Sequence, residues 1–375
     1  MKIPQFEPYL DNREYESIKQ CFESNWITEG PLSKEFVNKI LELTGAKYGV
    51  LAPNGTLSIY MALRAVGIGP GDEVIVPNFT FIASANAVEM CGAKPVFVDV
   101  GEDLHIDINK CTTVLSSRTK AIMPVHVYGM ACNMDEVVSF AKTYDLKIIE
   151  DAAQAIGIKW DGKHAGTFGE VGSFSFFADK TLTTGEGGMV VTNDKSIYEK
   201  LLYIRNQGRL DRGSFIHPEI GYNFRMTDLQ SAIGLVQFDK LNEIITKKTT
   251  ILETYKKYLN SSIKIIEPLD KSNHIPFRVC ILIPGGSEKL MTYMKENDIE
   301  TRTFFYPLHN QPCYKKKPNK ILKFLGIDKN DDDNFDVSMR MYNEGVCLPS
   351  FVNIKEEQIK YICTKINEYV QQKIS

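Results

Sequence analysis

Residues 173–188 read SFSFFADKTLTTGEGG, and a charged pair, Asp179-Lys180, ends the aromatic, strand-like run with which the stretch begins. A turn rich in Thr and Gly follows, and then a second apolar run, MVVTND, from Met189. A lysine held among apolar groups has its ammonium form disfavoured, which lowers its pKa and makes the amine a better nucleophile. Most lysines are solvated surface groups, so Lys180 alone is weak evidence for catalysis. The stretch predicts two buried strands joined by a loop that carries a semi-buried lysine.

The chain before this stretch alternates short apolar runs with helical patterns. The runs that we read as strands are KYGVLAP, DEVIVPN, KPVFVDV, TKAIMPVHVYG and LKIIEDAAQAIG. The patterns that we read as helices between them are NGTLSIYMALRAVGIG, FIASANAVEMCG and MDEVVSFAKTYD. The strand-like runs are continuously apolar, as expected of strands buried on both faces of a sheet. This alternation predicts an α/β fold with a mostly parallel central sheet and right-handed crossovers.

The pattern changes after the motif GYNFRMTDLQ. Residues 231–260 keep apolar residues at helical spacing, which predicts a long helix that connects two domains. Because a domain typically has ~100–200 residues, we expect a large domain over residues 1–240, including an N-terminal arm, and a small C-terminal α/β domain over residues 241–375. The charged segment KKKPNKILKFLGIDKNDDDNFD within the second domain is read as a solvated loop.

The composition argues against several classes of protein. The formal net charge of −3 gives no general attraction to nucleic acid or to an anionic membrane. No apolar run approaches the ~20 residues of a transmembrane helix, and the first residues, MKIPQFEPYL, lack the apolar core of a signal peptide. The 8 cysteines contain no CxxC pair, so neither a metal site nor a disulfide framework is indicated. We therefore expect no nucleic-acid or membrane partner and a reducing, cytoplasmic location.

Two glycine clusters are weak signals for phosphate-binding loops. GIGPGDE, at residues 67–73, follows a helical pattern rather than a strand and carries Pro70, which favours a helix C-cap and turn. TTGEGG, at residues 183–188, lacks the GK[ST] ending of a P-loop. A dinucleotide-binding or NTPase function is therefore not favoured.

Two polar sites lie where predicted strands end. IIEDAAQ places Asp151 at the end of an apolar strand, the edge at which ligands bind in open α/β sheets, although an ion-paired structural aspartate is the alternative. A predicted helix begins at Asn54-Gly55-Thr56. Its first N–H groups could bind an anion, or Asn54 could simply cap the helix. A phosphate cup, an acidic partner for a pyridine nitrogen and an amine for an aldehyde are what pyridoxal phosphate (PLP) requires. Together with Lys180, these residues predict a PLP site.

The sequence resembles the DegT/DnrJ/EryC1/StrS family of sugar aminotransferases over nearly its whole length. The motifs that carry the resemblance are APNGT (52–56), VPNFTFIAS (76–84), PVHVYG (124–129), EDAAQAIG (150–157), GSFSFFADKTLTTGEGGMV (172–190) and GYNFRM (221–226). Within the family, the sequence is most similar to nucleotide-sugar 4-aminotransferases of the perosamine synthase type. The resemblance implies the type I fold of PLP-dependent aminotransferases.

The resemblance also implies roles around the cofactor ring. Lys180 would bond covalently to the aldehyde and later act as the base that moves a proton between the sugar carbon and the cofactor. Asp151 would pair with the pyridine nitrogen, and Gln154 would donate a hydrogen bond to the phenolic oxygen. Phe81 would stack on the ring.

Further roles implied by the resemblance concern the phosphate and a second subunit. Gly55, Thr56 and Ser175 would bind the phosphate of the cofactor. Asn223, in GYNFRM, would reach the phosphate of a cofactor in the neighbouring subunit. The resemblance therefore implies a homodimer with shared active sites.

Four other residues resemble positions that line the sugar side of such sites. They are Trp26 and Thr28 in NWITEG, Arg225 in GYNFRM, and His309 in FYPLHNQPCY. Packing and loop capping are equally good explanations for these four side chains, and both readings stay open.

The reaction implied by the resemblance has two halves. L-Glutamate gives its amino group to PLP, which leaves pyridoxamine phosphate, and a nucleotide-linked 4-keto-6-deoxyhexose then takes the nitrogen to become a 4-amino-4,6-dideoxy sugar of the perosamine or viosamine type. The alternatives are amination at C3, a sugar 3-dehydratase of the same fold and, least favoured, a non-catalytic binding relative. Such dehydratases carry histidine where this chain has Lys180, which favours transamination. The nucleotide (GDP, UDP or dTDP) and the glycan, such as an O-antigen, that receives the sugar are left open.

Overall fold

The structure is a computed structural model and describes residues 2–210, 213, 215–315 and 334–374. Its helices are α1 (Asn12–Glu23), α2 (Pro31–Thr44), α3 (Gly55–Ala65), α4 (Ala83–Met90), α5 (Ile108–Cys111), α6 (Met134–Thr143), α7 (Lys195–Arg205), α8 (Asp228–Asp239), α9 (Leu241–Tyr258), α10 (Ser287–Glu296), α11 (Asp336–Glu344) and α12 (Glu356–Ile374).

The strands form two larger sheets and one short hairpin. They are β1 (Tyr48–Ala52), β2 (Glu73–Pro77), β3 (Lys94–Val98), β4 (Thr119–Ile122), β5 (Lys147–Asp151), β6 (Lys159–Trp160), β7 (Lys163–His164), β8 (Val171–Ser175), β9 (Gly188–Thr192), β10 (Lys264–Ile265), β11 (Val279–Leu282), β12 (Arg302–Thr303) and β13 (Gly345–Leu348).

The first sheet has seven strands in the order β1-β9-β8-β5-β4-β2-β3. Strand β9 pairs antiparallel with β1 and β8, whereas the pairs from β8 to β3 are parallel. This topology confirms the predicted α/β fold with a mostly parallel central sheet. It also places the end of β8 and the start of β9 at the same edge of the sheet as the end of β5.

Helices cover both faces of this sheet. Consecutive residues of β9 belong to different hydrophobic clusters: Met189 and Val191 pack with α2 and α6, and Val190 packs with α3, α4 and α7. Because side chains alternate across a strand, each face of β9 is buried against its own layer of helices. Each such buried side chain contributes ~1.5–3 kcal/mol to stability, so the continuously apolar runs in the sequence follow from the two covered faces.

The second sheet is antiparallel, with the strand order β10-β11-β13-β12. Its core includes Leu252 and Tyr255 of α9 and Ile362 of α12. Ile3 also joins this core and pairs with Ile299, so the first residues of the chain contact the C-terminal part. The boundary between residues 240 and 241 stays a prediction.

The single long helix predicted for residues 231–260 is wrong. The structure has two helices there, α8 and α9, which meet at Lys240. The Lys240 ammonium is buried and bonds to Glu14 Oε1 at 2.6 Å and Asp11 Oδ2 at 2.9 Å. These ion pairs hold the junction between α8 and α9 against the start of α1.

Three further expectations concern loops and absent elements. GIGPGDE follows the C-cap of α3 and forms the turn into β2, with Ile68 N donating to Leu63 O at 3.0 Å, as predicted. Of the loop predicted in KKKPNKILKFLGIDKNDDDNFD, residues 316–333 lie outside the described residues. In the described part of the chain, no helix is long and apolar enough to cross a bilayer, and no group of His, Cys, Asp or Glu is arranged to hold a metal.

Candidate active site

Lys180 lies on the loop between β8 and β9, as predicted. The loop is folded on itself, because Lys180 N donates to Phe177 O at 2.9 Å and Thr184 N to Phe176 O at 2.9 Å. The Lys180 side chain is partly exposed, and its Nζ lies 4.6 Å from the centroid of the Phe277 ring. Backbone hydrogen bonds therefore fix the base of this side chain, while its amine rests on an aromatic face.

The surroundings of Lys180 lower the pKa of its amine. Burial disfavours the charged form and is the largest cause, and the positive charge of Arg278 acts in the same direction. The carboxylates of Asp179 and Asp151 oppose this effect. A lowered pKa leaves more of the neutral amine at a given pH, which is the form that acts as a nucleophile or base.

Asp151 ends β5 at the same edge of the sheet. Its carboxylate accepts hydrogen bonds from Ser84 Oγ at 2.7 Å and from Ala153 N at 3.1 Å, and the residue is only 4% exposed. Burial raises the pKa of Asp151, although both hydrogen bonds oppose the shift. Among the described residues, Asp151 forms no ion pair, so the alternative of an ion-paired structural aspartate finds no support. Such a carboxylate is suited to receive a cationic group.

Gln154 is oriented by the turn at Tyr128. Gln154 Oε1 accepts a hydrogen bond from Tyr128 N at 2.7 Å, which leaves the side-chain NH₂ of Gln154 as the donor toward a ligand. Tyr128 has φ 55° and ψ 20°, in the left-handed region that costs a non-glycine residue ~1 kcal/mol or more. Gly129 follows with φ 84°, and a side chain there would overlap the carbonyl oxygen of Ile275. The strand predicted for residues 119–129 is wrong at its end: β4 stops at Ile122, Val125 still forms a β-bridge with Asp151, and the chain turns at Tyr128.

Gly55, Thr56 and Ser175 meet where β1, β9 and β8 lie side by side. Asn54 caps α3, with Oδ1 accepting from Leu57 N at 3.0 Å. In the part of the chain that the structure describes, the N–H groups of Gly55 and Thr56 have no hydrogen-bond partner. The readings as cap and as anion site are therefore compatible.

Gly55 also lies directly against Ser175. A Cβ added at Gly55 would lie 2.8 Å from Ser175 Cβ and 3.0 Å from Ser175 Oγ. The missing side chain therefore allows the first N–H groups of α3 and the serine hydroxyl to approach one small ligand group together.

Phe81 is 58% exposed and lies just before α4. Its ring centroid is 6.3 Å from that of Phe305. Ser84, which binds the carboxylate of Asp151, follows three residues later. The exposed ring of Phe81 can therefore stack on a flat ligand that reaches Asp151.

Asn223, Arg225, Trp26 and Thr28 lie near Asn206 and Asp228. Asn223 is exposed and forms a β-bridge with Asn206. Arg225 Nη1 donates to Asn206 Oδ1 at 2.9 Å. Thr28 O accepts from Asp228 N at 3.1 Å, and Trp26 Nε1 donates to Glu29 O at 3.2 Å. Their predicted roles toward a cofactor or sugar stay predictions.

His309 is buried and held by Asn78, which follows β2. His309 N donates to Asn78 Oδ1 at 2.9 Å, and the imidazole stacks on the Phe335 ring with centroids 4.4 Å apart. These contacts favour the packing explanation for His309. Its predicted contact with a sugar is not tested by them.

Sequence reasoning missed several residues that support this site. Ser84 lies in the motif VPNFTFIAS, and its position one helical turn after an aromatic residue is the only local signal of its role. Tyr128, Phe277 and Arg278 gave no local signal, because their partners lie far away in the sequence. Arg278 Nη2 donates to Asp179 Oδ2 at 2.6 Å across a separation of 99 residues.

The chain is similar to several known proteins over nearly its whole length. Two similar proteins are GDP-perosamine synthases: that of Escherichia coli O157:H7 is 40% identical over 99% of this chain and 99% of its own, and that of Vibrio cholerae is 37% identical over 98% and 99%. An aminotransferase from Brucella abortus shares the fold with a TM-score of 0.86 and 28% identity over 96% and 95% of the two chains. The Spr1654 protein of Streptococcus pneumoniae, described as a sugar aminotransferase and solved in its PLP form, has a TM-score of 0.91 and 24% identity over 99% of both chains.

These neighbours confirm the predicted type I aminotransferase fold. The sequence model of one family matches residues 8–367 of the chain. The protein therefore belongs to the DegT/DnrJ/EryC1/StrS aminotransferase family, as its motifs predicted.

Proposed function

We propose that the protein is a PLP-dependent aminotransferase that converts a nucleotide-linked 4-keto-6-deoxyhexose into a 4-amino-4,6-dideoxy sugar, with L-glutamate as the amino donor. The observation that carries the proposal is the Lys180 amine, whose pKa is lowered and which lies at the sheet edge where Asp151 ends β5. Two relatives that align with nearly the whole chain are GDP-perosamine synthases, which supports a perosamine-type product and GDP as the nucleotide.

The residues at this edge fit PLP. The buried Asp151 carboxylate is bonded only by neutral donors among the described residues, so a protonated pyridine nitrogen would supply the missing opposite charge. The N–H groups of Gly55 and Thr56 are available for a phosphate dianion. Hydrogen bonds to a charged group contribute ~1.5–3 kcal/mol each, so the two N–H groups and the Ser175 hydroxyl account for a substantial share of the binding.

The side chains of this chain divide the chemical work between them. When bound, PLP supplies an electron sink that makes the proton beside the amino nitrogen removable. Lys180 Nζ accepts that proton and returns it, because its lowered pKa keeps a neutral fraction available. Gln154 Nε2 would donate to the phenolic oxygen, and the Asp151 carboxylate would keep the ring nitrogen protonated. Phe81 excludes water from one ring face.

The presence of Lys180 favours transamination over the dehydration alternative. A histidine cannot form the covalent bond to an aldehyde that a primary amine forms. Amination at C3 would require only a different orientation of the bound sugar. The perosamine synthase relatives support C4.

We further propose a homodimer with shared active sites. Phe215, Ile216 and Ile220 are exposed to 87, 74 and 86%, and they precede Asn223 on the same segment. Exposed apolar groups of this size, close together, mark interaction surfaces. A second copy that covers them would receive Asn223 near its own cofactor phosphate.

Two remaining predictions complete the proposal. We propose the division into residues 1–240 and 241–375, which is supported by the two separate sheets. We also propose a cytoplasmic location, which suits an enzyme that uses free glutamate and nucleotide sugars.

The direct test combines cofactor binding with a substrate panel. The purified protein should gain an absorbance band near the visible edge with PLP, and borohydride should fix the cofactor to it. Lys180→Ala should abolish both, whereas Lys195→Ala, at an exposed lysine, should change neither. With glutamate, the protein should aminate a GDP-linked 4-keto-6-deoxy sugar faster than its UDP- and dTDP-linked counterparts. Inactivity with all three 4-keto sugars would refute the proposal.

A further inference from the structure

Arg278 forms a buried ion pair beside Lys180. Its Nη2 lies 2.6 Å from Asp179 Oδ2, and the two side chains are only 4% and 9% exposed. Asp179 directly precedes Lys180 on the loop between β8 and β9. A short, charge-assisted hydrogen bond in a dry environment restricts the geometry of both partners. The position of Arg278 therefore decides where the loop presents the lysine.

Phe277, the neighbour of Arg278, contacts the lysine itself. The centroid of its ring lies 4.6 Å from Lys180 Nζ and 4.7 Å from Arg278 Cζ. A cation is attracted to an aromatic face, and the attraction grows as the cation is desolvated. The ring thus gives the Lys180 amine a defined resting place.

The segment that carries these two residues is itself fixed. Phe277 N donates to Tyr128 O at 3.1 Å, and Tyr128 is the residue whose N–H orients Gln154. The buried Lys248 of α9 donates to Pro276 O at 3.2 Å. One short segment thus supports the Lys180 loop on one side and the Gln154 turn on the other. Support of this kind keeps catalytic groups in productive geometry.

On the basis of the proposed function, we propose that Arg278 is a positioning residue for Lys180: its ion pair with Asp179 fixes the turn that carries the amine. Phe277 beside it holds the amine whenever the amine is not covalently bound. The role deepens the proposed chemistry, since it assigns residues of the C-terminal part to the control of Lys180.

The charges around Lys180 predict the direction in which each substitution shifts the Lys180 pKa. The charged groups that face Lys180 are Asp179 on its own loop, Asp151 at the end of β5, and Arg278 before β11. Lys248 of α9 faces Asp179 and Arg278. Removing the Arg278 charge should raise the pKa of Lys180, and removing the Asp179 charge should lower it. A pair that does not act on the amine would leave the Lys180 titration unchanged, and the loss of rate separately reports the loss of positioning.

The test uses substitutions at both ends of the pair. The full-length protein, freed of cofactor, is mixed with PLP, and the rate of the absorbance change is followed against pH, because only the neutral amine reacts. Arg278→Met should slow the reaction at neutral pH about 10–100-fold and move its pH midpoint upward. Asp179→Asn should move the midpoint downward, and Arg278→Lys should restore most of the rate.

Arg302→Met is the matched control. Arg302 Nη1 lies 4.0 Å from the same Asp179 Oδ2, but its side chain is 56% exposed, so solvent screens its charge and the variant should behave as wild type. In steady state, Arg278→Met should lower kcat while leaving the KM for glutamate within about twofold, as expected when transition-state geometry is lost.

The outcomes separate this inference from the proposed function. If wild-type protein never reacts with PLP, the proposed function fails. If wild type reacts but Arg278→Met matches Arg302→Met, only the positioning role is refuted. Should Arg278→Met not fold because Asp179 is left buried and unpaired, the double variant Asp179→Asn/Arg278→Met removes both charges. That variant should fold and still react slowly, and a wild-type rate in it would overturn the role.

Discussion

Ser84→Ala removes one of the two hydrogen bonds that the structure records for the Asp151 carboxylate, the 2.7 Å bond from Ser84 Oγ. Burial already raises the pKa of Asp151 above its ordinary value, and Ser84 opposes that shift. A hydrogen bond to a charged group is worth ~1.5–3 kcal/mol, and one pKa unit corresponds to about 1.4 kcal/mol. The substitution should therefore raise the pKa of Asp151 further above its ordinary value, because the charged carboxylate loses a donor.

The sign of the effect follows from proton linkage. The unfolded chain releases the Asp151 proton near the ordinary value of 3.8, whereas the folded, PLP-free protein keeps it to higher pH. Stability of the PLP-free protein therefore falls as pH rises from that value through the raised pKa. Binding a protonated pyridine ring requires the charged carboxylate. On acidification, Ser84→Ala should therefore begin to lose PLP affinity at a higher pH than the wild-type protein does.

The assay is a PLP titration, followed by absorbance, at a series of pH values. Ser58→Ala is the matched control, because Ser58 is equally buried but its Oγ bonds to Met189 O at 2.9 Å rather than to a carboxylate. Ser58→Ala should lose ~1 kcal/mol of stability, and only Ser84→Ala should shift the pH midpoint of PLP affinity upward. Equal midpoints in the two variants would refute this account of Asp151.

Two further predictions concern close packing and a buried charge. Gly55→Ala should weaken PLP binding about tenfold or more, because the new methyl displaces Ser175 by several tenths of an ångström. Gly69→Ala is the control, because a methyl there lies 3.7 Å from an arginine nitrogen, and this variant should bind PLP normally in the same titration. Burial lowers the pKa of Lys248 to about 7, so the unfolded chain keeps that proton to higher pH than the folded protein, and stability should rise from about pH 7 toward pH 10. Urea unfolding should show this rise in wild type and a smaller one in Lys248→Met; identical slopes would contradict the assignment.

Much of the fold could be predicted from the sequence, because strands covered on both faces must be continuously apolar. The Lys180 loop was predictable for the same reason: a charged pair between two such runs has few other places to lie. The break at Lys240 was not predictable, since the buried ammonium at this junction bonds to Glu14, 226 positions away. Nor did the pattern show the turn at Tyr128, whose apolar neighbours look the same in a strand.

The candidate site was predictable where one motif contains both a site residue and the strand that positions it. Asp151 and Gly55 each follow their own strand, so the edge they share follows from the parallel sheet. Arg278 and Phe277 contact the Lys180 loop only because the C-terminal part folds onto it. No pattern in the sequence predicts that contact.

The hydrogen bonds from Ile275 N to Gly129 O (3.2 Å) and from Phe277 N to Tyr128 O (3.1 Å) bear on whether the gene could be split. A fragment that stops at residue 240 would contain all residues of the seven-stranded sheet and Lys180. It would also expose two backbone carbonyls at the turn beside Gln154 and leave a carboxylate next to Lys180 without its guanidinium. The C-terminal third therefore completes the site around Lys180 and Gln154. Neither fragment alone should show aminotransferase activity, and activity should return only when the two fragments are combined.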